Sequence, residues 1–133
     1  MTTTTELKLK ILSWDEAPYR ELPDGAKFAR ATVVLGADAG DAAGTFESLL
    51  FYRPDGTSRF VCLMQLDNVI EGRSGSFVLE GRGSYDGTTA ELVAAVVEGS
   101  GTGDLVGVTG TVSSTSTHAD YPYMPISLGY ELG

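Results

Sequence analysis

The sequence carries one carboxylate whose neighbours are almost all apolar. Glu47 lies in the run Thr45-Phe46-Glu47-Ser48-Leu49-Leu50-Phe51, which alternates as a strand does. Closing a hairpin on Pro54-Asp55-Gly56-Thr57 sets Arg53 opposite Ser58. It then pairs Phe51 with Phe60, Leu49 with Cys62, Glu47 with Met64 and Thr45 with Leu66. In that register Glu47 sits on an apolar inner face with no lysine or arginine beside it. Desolvation raises the pKa of such a carboxylate toward neutrality, the condition for general acid–base work. Glu47 is the expected catalytic residue, and Leu49, Phe51, Phe60, Cys62 and Met64 are the expected substrate-binding walls. The competing reading puts Glu47 near a barrel mouth, hydrated or hydrogen-bonded to Thr45 or a tyrosine.

A second concentration is Ser13-Trp14-Asp15-Glu16-Ala17-Pro18-Tyr19. It holds the only tryptophan, two acids and a further aromatic. The loop read from there to about residue 26 is long for a hairpin, and long loops at barrel ends serve as lids. On this reading Trp14 lines a mouth and Glu16 hydrogen-bonds a substrate. On the other, Trp14 packs as a plug and both acids are solvated, which is the reading adopted for Asp15. Tyr121-Pro122-Tyr123-Met124-Pro125 is a similar stretch, expected at a barrel end.

Other chemistries find little support. Lys8, Lys10 and Lys27 are the only lysines, so Gly99-Ser100-Gly101-Thr102-Gly103 has no Walker lysine, and it lacks the third glycine of a dinucleotide fingerprint. It reads as a flexible strand connection. One cysteine and one histidine leave no zinc set and no internal disulfide. Cys62 reads as a small core residue and His118 as a solvated loop residue. No metal or cofactor is expected.

The elements that must position these residues are strands. Period-2 segments run over 7–14, 27–35, 45–53, 59–69, 76–85, 89–97, 108–117 and 125–132, broken by turn residues, with one short turn over 103–107. Carrying the register across Gly72-Arg73-Ser74-Gly75 sets Met64 opposite Gly83 and Cys62 opposite Tyr85. Closing on Asp86-Gly87, a favoured two-residue hairpin loop, pairs Gly81 with Leu92 and Arg82 with Glu91. Gly81 and Tyr85 thereby join the expected substrate-binding set, and Gly81, Gly83, Ala90 and Ala94 leave room inside. An antiparallel meander of eight strands without helices must close or stack. The expected fold is all-β, a closed antiparallel eight-stranded barrel with an apolar central cavity.

At 133 residues, with 42% hydrophobic and 20% charged residues, the chain reads as one globular domain over 7–133 behind a frayed Thr-rich segment, 1–6. Eighteen acidic against nine basic residues give a formal charge of −9, poorly suited to a phosphate backbone, so no nucleic-acid partner is expected. The start has neither a basic n-region nor an apolar h-region, and no apolar run reaches the roughly 20 residues that span a bilayer. A cytoplasmic protein without a membrane partner is expected. Leu50, Val61, Leu63, Val78, Val93 and Val97 read as an apolar outer patch, which predicts a homodimer.

Ser13-Trp14-Asp15-Glu16, Tyr52-Arg53-Pro54-Asp55-Gly56-Thr57, Gly72-Arg73-Ser74-Gly75-Ser76-Phe77-Val78-Leu79 and Gly99-Ser100-Gly101-Thr102-Gly103-Asp104-Leu105 together resemble a bacterial domain-of-unknown-function family. The likeness runs through most of residues 7–132, to the closing Tyr130-Glu131-Leu132, and that family in turn resembles the allene oxide cyclase barrel. The resemblance implies a closed eight-stranded barrel whose apolar cavity holds an unsaturated epoxide and steers its ring closure with a carboxylate and a bound water. Where that family often has Gln-His after Val-Leu, this chain has Glu80-Gly81, so any role of that histidine is absent here. Two functions are expected on these grounds. One is a cofactor-free isomerase or cyclase acting on a hydrophobic small molecule. The other is a binding barrel for an apolar ligand.

Overall fold

A computed structural model describes residues 2–37, 42–70 and 72–132, apart from the His118 side chain, so the expectation for that side chain lies outside the described residues. Eight strands form one closed antiparallel barrel in sequence order: β1 (Thr3–Glu21), β2 (Lys27–Gly36), β3 (Ala42–Tyr52), β4 (Ser58–Asp67), β5 (Ser76–Tyr85), β6 (Thr89–Val96), β7 (Val108–Thr117) and β8 (Tyr123–Leu132). Each strand pairs with its neighbours in the chain, and β1 closes the circle against β8. Closure leaves no free sheet edge, the property that stabilises a helix-free meander.

Both ends of β1 differ from expectation. The Thr-rich start is strand rather than a frayed tail, since Thr3 pairs with Tyr130 and Thr5 with Leu128. The far end continues to Glu21, so the chain leaves the sheet only over the tight turn at 22–26, where Leu22 N–H donates to Ala26 O at 2.8 Å. Two register shifts, between Ile11 and Ser13 and between Pro18 and Arg20, break the period-2 pattern and hide the strand in the sequence. The shift at Leu12 also re-aims the second half of β1. Trp14, Glu16 and Pro18 lie opposite Val33, Ala31 and Ala29 and take the inward line of the barrel.

The β3–β4 hairpin overturns the expected register. Arg53 N–H donates to Thr57 O at 2.8 Å and Gly56 N–H to Arg53 O at 2.9 Å, with Gly56 at φ 89°. This is a three-residue loop, a type I turn followed by a left-handed glycine, not a four-residue one. The one-residue difference reverses every side chain of β3 relative to β4. Leu50 faces Phe60, Ser48 faces Cys62 and Phe46 faces Met64 on the inside, while Glu47 and Leu49 lie opposite Leu63 and Val61 on the outside.

The next two hairpins differ from expectation by even steps, which preserve the faces. Cys62 pairs with Gly81 and Met64 with Leu79, and Gly81 pairs with Ala94. Arg82 lies opposite Val93 rather than Glu91.

The interior is filled over most of its length. Leu35, Met64, Leu66, Phe77, Leu79, Ile126 and Leu128 are essentially inaccessible, each stabilising the fold by about 1.5–3 kcal/mol of apolar burial. The glycine-rich connection after β6 closes this end and is strapped down rather than loose. Thr102 Oγ1 accepts from Ser76 N–H and Asp104 Oδ2 from Ser74 N–H, both at 2.9 Å, which holds the short 3-10 turn Gly103–Leu105 in place with Leu105 fully buried.

Candidate functional site

The opposite end is open. There a pocket of about 440 Å³ is lined by Trp14 and Ile11 of β1, Phe46, Ser48, Leu50 and Tyr52 of β3, Ser58 and Phe60 of β4, and Tyr85 of β5. Leu92 of β6, Ser114 and Ser116 of β7, and Tyr121, Tyr123 and Met124 complete much of the rest. Apolar and aromatic groups dominate, Glu91 of β6 is the charged residue in the lining, and no lysine or arginine is there. The floor is the edge-on pair Phe46 and Phe60, with ring centroids 6.0 Å apart. The segment carrying Tyr121 is tied to β1 where its register shifts, through Ile11 N–H donating to Pro122 O at 2.7 Å.

Two of the lining residues, Trp14 and Tyr52, share an acceptor, Glu16, that is not itself in the lining. Glu16 accepts hydrogen bonds on both carboxylate oxygens, from Tyr52 Oη at 2.8 Å and from Trp14 Nε1 at 3.2 Å. The three residues come from β1 and β3, brought together across β2 by the re-aimed second half of β1. Burial, and next the adjoining Glu16 carboxylate, push the Tyr52 phenol well above its ordinary 10.0. Tyr52 therefore stays a proton donor throughout the physiological range. A carboxylate offers about four lone-pair sites, so Glu16 can accept further hydrogen bonds beyond the two it has. Deeper in the wall, Ser114 Oγ donates to Pro125 O at 2.5 Å.

The structure sorts the expected site residues into three groups. Trp14, Phe60 and Tyr85 line the pocket, and Glu16 is bonded to two residues of its wall. Cys62, Met64 and Gly81 point inward as expected, yet they lie in the packed core below the pocket and do not line it. Burial pushes the Cys62 thiol up to about 11, which keeps it protonated and unreactive.

The third group is a correction. Glu47 and Leu49 are exposed on the outer wall, and Phe51 packs there against Phe28, ring centroids 5.8 Å apart. Turned outward by the hairpin, Glu47 lacks the burial on which its expected catalytic role rests. Of the small inward residues, Ala90 lines the pocket as expected, whereas the two glycines act differently. A side chain on Gly81 would collide with Ala94, and one on Gly83 with the Phe60 ring. These glycines admit close approach of their neighbours.

Tyr52, which the expected register turned outward with Phe46, Ser48 and Leu50, is among the lining residues that sequence reasoning missed. Pro54-Asp55-Gly56 was its signal, because a glycine in that place marks the left-handed position of a three-residue loop. Among the described residues no group of three His, Cys, Asp or Glu side chains is placed to hold a metal ion, and no helix is long and apolar enough to cross a membrane.

The fold and site define a closed eight-stranded antiparallel barrel, packed at one end and open to a largely apolar pocket at the other. The chain belongs to the DUF3224 family, proteins of unknown function, whose model matches residues 6–126. A crystal structure of a DUF3224 protein of unknown function from Shewanella oneidensis MR-1 is similar, with a TM-score of 0.73 and 22% identity, over 100% of this chain and 99% of that one. That likeness establishes the fold. No curated protein matches the chain.

Proposed function

We propose that the barrel binds a small molecule with an apolar body and a hydrogen-donating or cationic end. The observation that supports this most is the aromatic pocket with the Glu16 carboxylate hydrogen-bonded to two of its lining residues, Trp14 and Tyr52. Its volume falls within the roughly 300–1,000 Å³ usual for small-molecule sites. Aromatic faces attract cations, a carboxylate with spare lone pairs accepts donors, and no lining lysine or arginine would offset an anion.

Three probes of one shape test this by calorimetry: 2-(1-naphthyl)ethylamine, 2-(1-naphthyl)ethanol and 1-naphthylacetate. The amine is expected to bind tightest, by about 3–10-fold over the alcohol, and the acetate weakest. Glu16→Gln is expected to narrow the difference between amine and alcohol. Equal affinity of all three would remove the charge preference, and no binding of any would remove the pocket.

A second reading makes the same pocket that of a cofactor-free isomerase or cyclase. It is favoured by the Glu16–Tyr52 hydrogen bond, which joins a proton acceptor to a held proton donor, and it accords with the resemblance to the allene oxide cyclase barrel. The substrate is then an unsaturated epoxide or a similarly reactive apolar molecule, confined in one conformer while the dyad handles the proton. An excess of one enantiomer in the ring-closed product, lost in Glu16→Gln, supports this reading, and a racemic product with wild-type protein contradicts it.

A further inference from the structure

The outer wall over β3–β6 carries four of the large apolar side chains that the barrel leaves in water. Leu49, Val61, Leu63 and Val93 are 48%, 58%, 54% and 56% exposed. Cross-strand pairing makes them one patch, because Leu49 lies opposite Val61, Val61 opposite Arg82 and Arg82 opposite Val93, with Leu63 two residues along from Val61. An open groove of about 1230 Å³ follows this wall. Leu49 replaces Leu50 in the patch expected from sequence, through the same reversal that turns Glu47 outward.

We infer that this wall is the interface of a homodimer, two barrels meeting side to side with their axes crossed. Charge and shape both select a second copy. The chain as a whole has a formal charge of −9, which repels another copy over most of its surface. The charged residues that line this groove are Arg30 and Arg82 with Glu47 and Glu80, all exposed and equal in number, so the groove is neutral. A two-fold contact sets a patch against itself, and a surface carrying both signs in equal measure meets itself without net repulsion.

A twisted barrel is a hyperboloid, so its wall is convex around the circumference and concave along the axis. Such a saddle fits a copy of itself turned by about a right angle, because each convex direction then lies in the other's groove. A standard interface takes about 800 Å² per partner, roughly a tenth of the 7671 Å² surface of this molecule.

Sedimentation velocity at tens of micromolar tests this, since one chain is 14.0 kDa and the dimer twice that. Val61→Asp, at an exposed position that leaves the core untouched, is expected to raise the dimer Kd at least about tenfold by setting a desolvated carboxylate in the apolar contact. Val106→Asp, at a 70% exposed site outside the patch, is expected to leave it unchanged. Circular dichroism establishes that both variants are folded. A wild-type monomer at these concentrations overturns the inference. So does a dimer that Val61→Asp leaves intact.

Discussion

At the residue scale two glutamates exchange the roles their sequence surroundings suggest. Glu47 sits among apolar residues in sequence and in water in space, whereas Glu16 sits in a stretch that reads as the start of a loop and is hydrogen-bonded to the pocket wall in space. Tyr52→Phe keeps the ring and removes the donor to Glu16, and is expected to cost about 0.5–1.5 kcal/mol in denaturant unfolding.

Tyr52 also makes an alkaline prediction. Its folded pKa lies above the unfolded value of about 10, so folding holds the proton. The stability this represents is fully present below pH 10 and is lost as pH rises through the folded value. Phenolate absorbance is expected to show one tyrosine that ionises last, and to lose that tyrosine in Tyr52→Phe. Tyr52 titrating with the bulk of the six tyrosines would place its hydroxyl in water, away from Glu16.

At the scale of elements, hairpin loops decide which residues can meet. All eight strands were readable from alternation and turn residues, and for β5 and β7 the expected bounds 76–85 and 108–117 are those found. The faces were harder to read. A loop length wrong by an even number left β4, β5 and β6 with the right inner residues, while the odd error at Gly56 reversed β3 and with it the choice of catalytic carboxylate. Bulges hid the second half of β1 for a related reason, since an extra residue breaks the alternation by which a strand is recognised. Chemistry local to the turn was legible; whether a loop holds three or four residues was settled by backbone hydrogen bonds that alternation does not report.

Two substitutions probe this scale. Gly56→Ala, forced to hold φ 89°, is expected to lower stability by about 1–2 kcal/mol with an unchanged m-value. Gly83→Val is expected to destabilise by about 1–3 kcal/mol or more, through collision with the Glu91 carbonyl oxygen and overpacking against Phe60. A neutral Gly83→Val would show slack between β5 and the Phe60 ring.

At the scale of the whole molecule, the barrel divides its labour by position. One end is packed and strapped, the other holds the aromatic pocket, and the wall between them presents the neutral patch. The closed barrel was legible because eight alternating segments without helices have few other ways to bury their inner faces and edges. The pocket was legible only in part. Trp14 was recognised from residue type and Phe60 and Tyr85 from strand alternation, but its position at one end depends on which rows of side chains fill the core.

The pocket is tested most directly by methyl NMR on protein carrying labelled methionine. Met124 lines the pocket, whereas Met64 is buried in the packed core and does not. Titration with 2-(1-naphthyl)ethanol is expected to shift the Met124 methyl resonance in a saturable manner while that of Met64 stays nearly fixed. Ala90→Phe with Ser116→Phe, which fills the pocket from two lining positions, should abolish the shift. A Met124 resonance that does not move, or that moves linearly without saturation, would contradict a binding site at this end of the barrel.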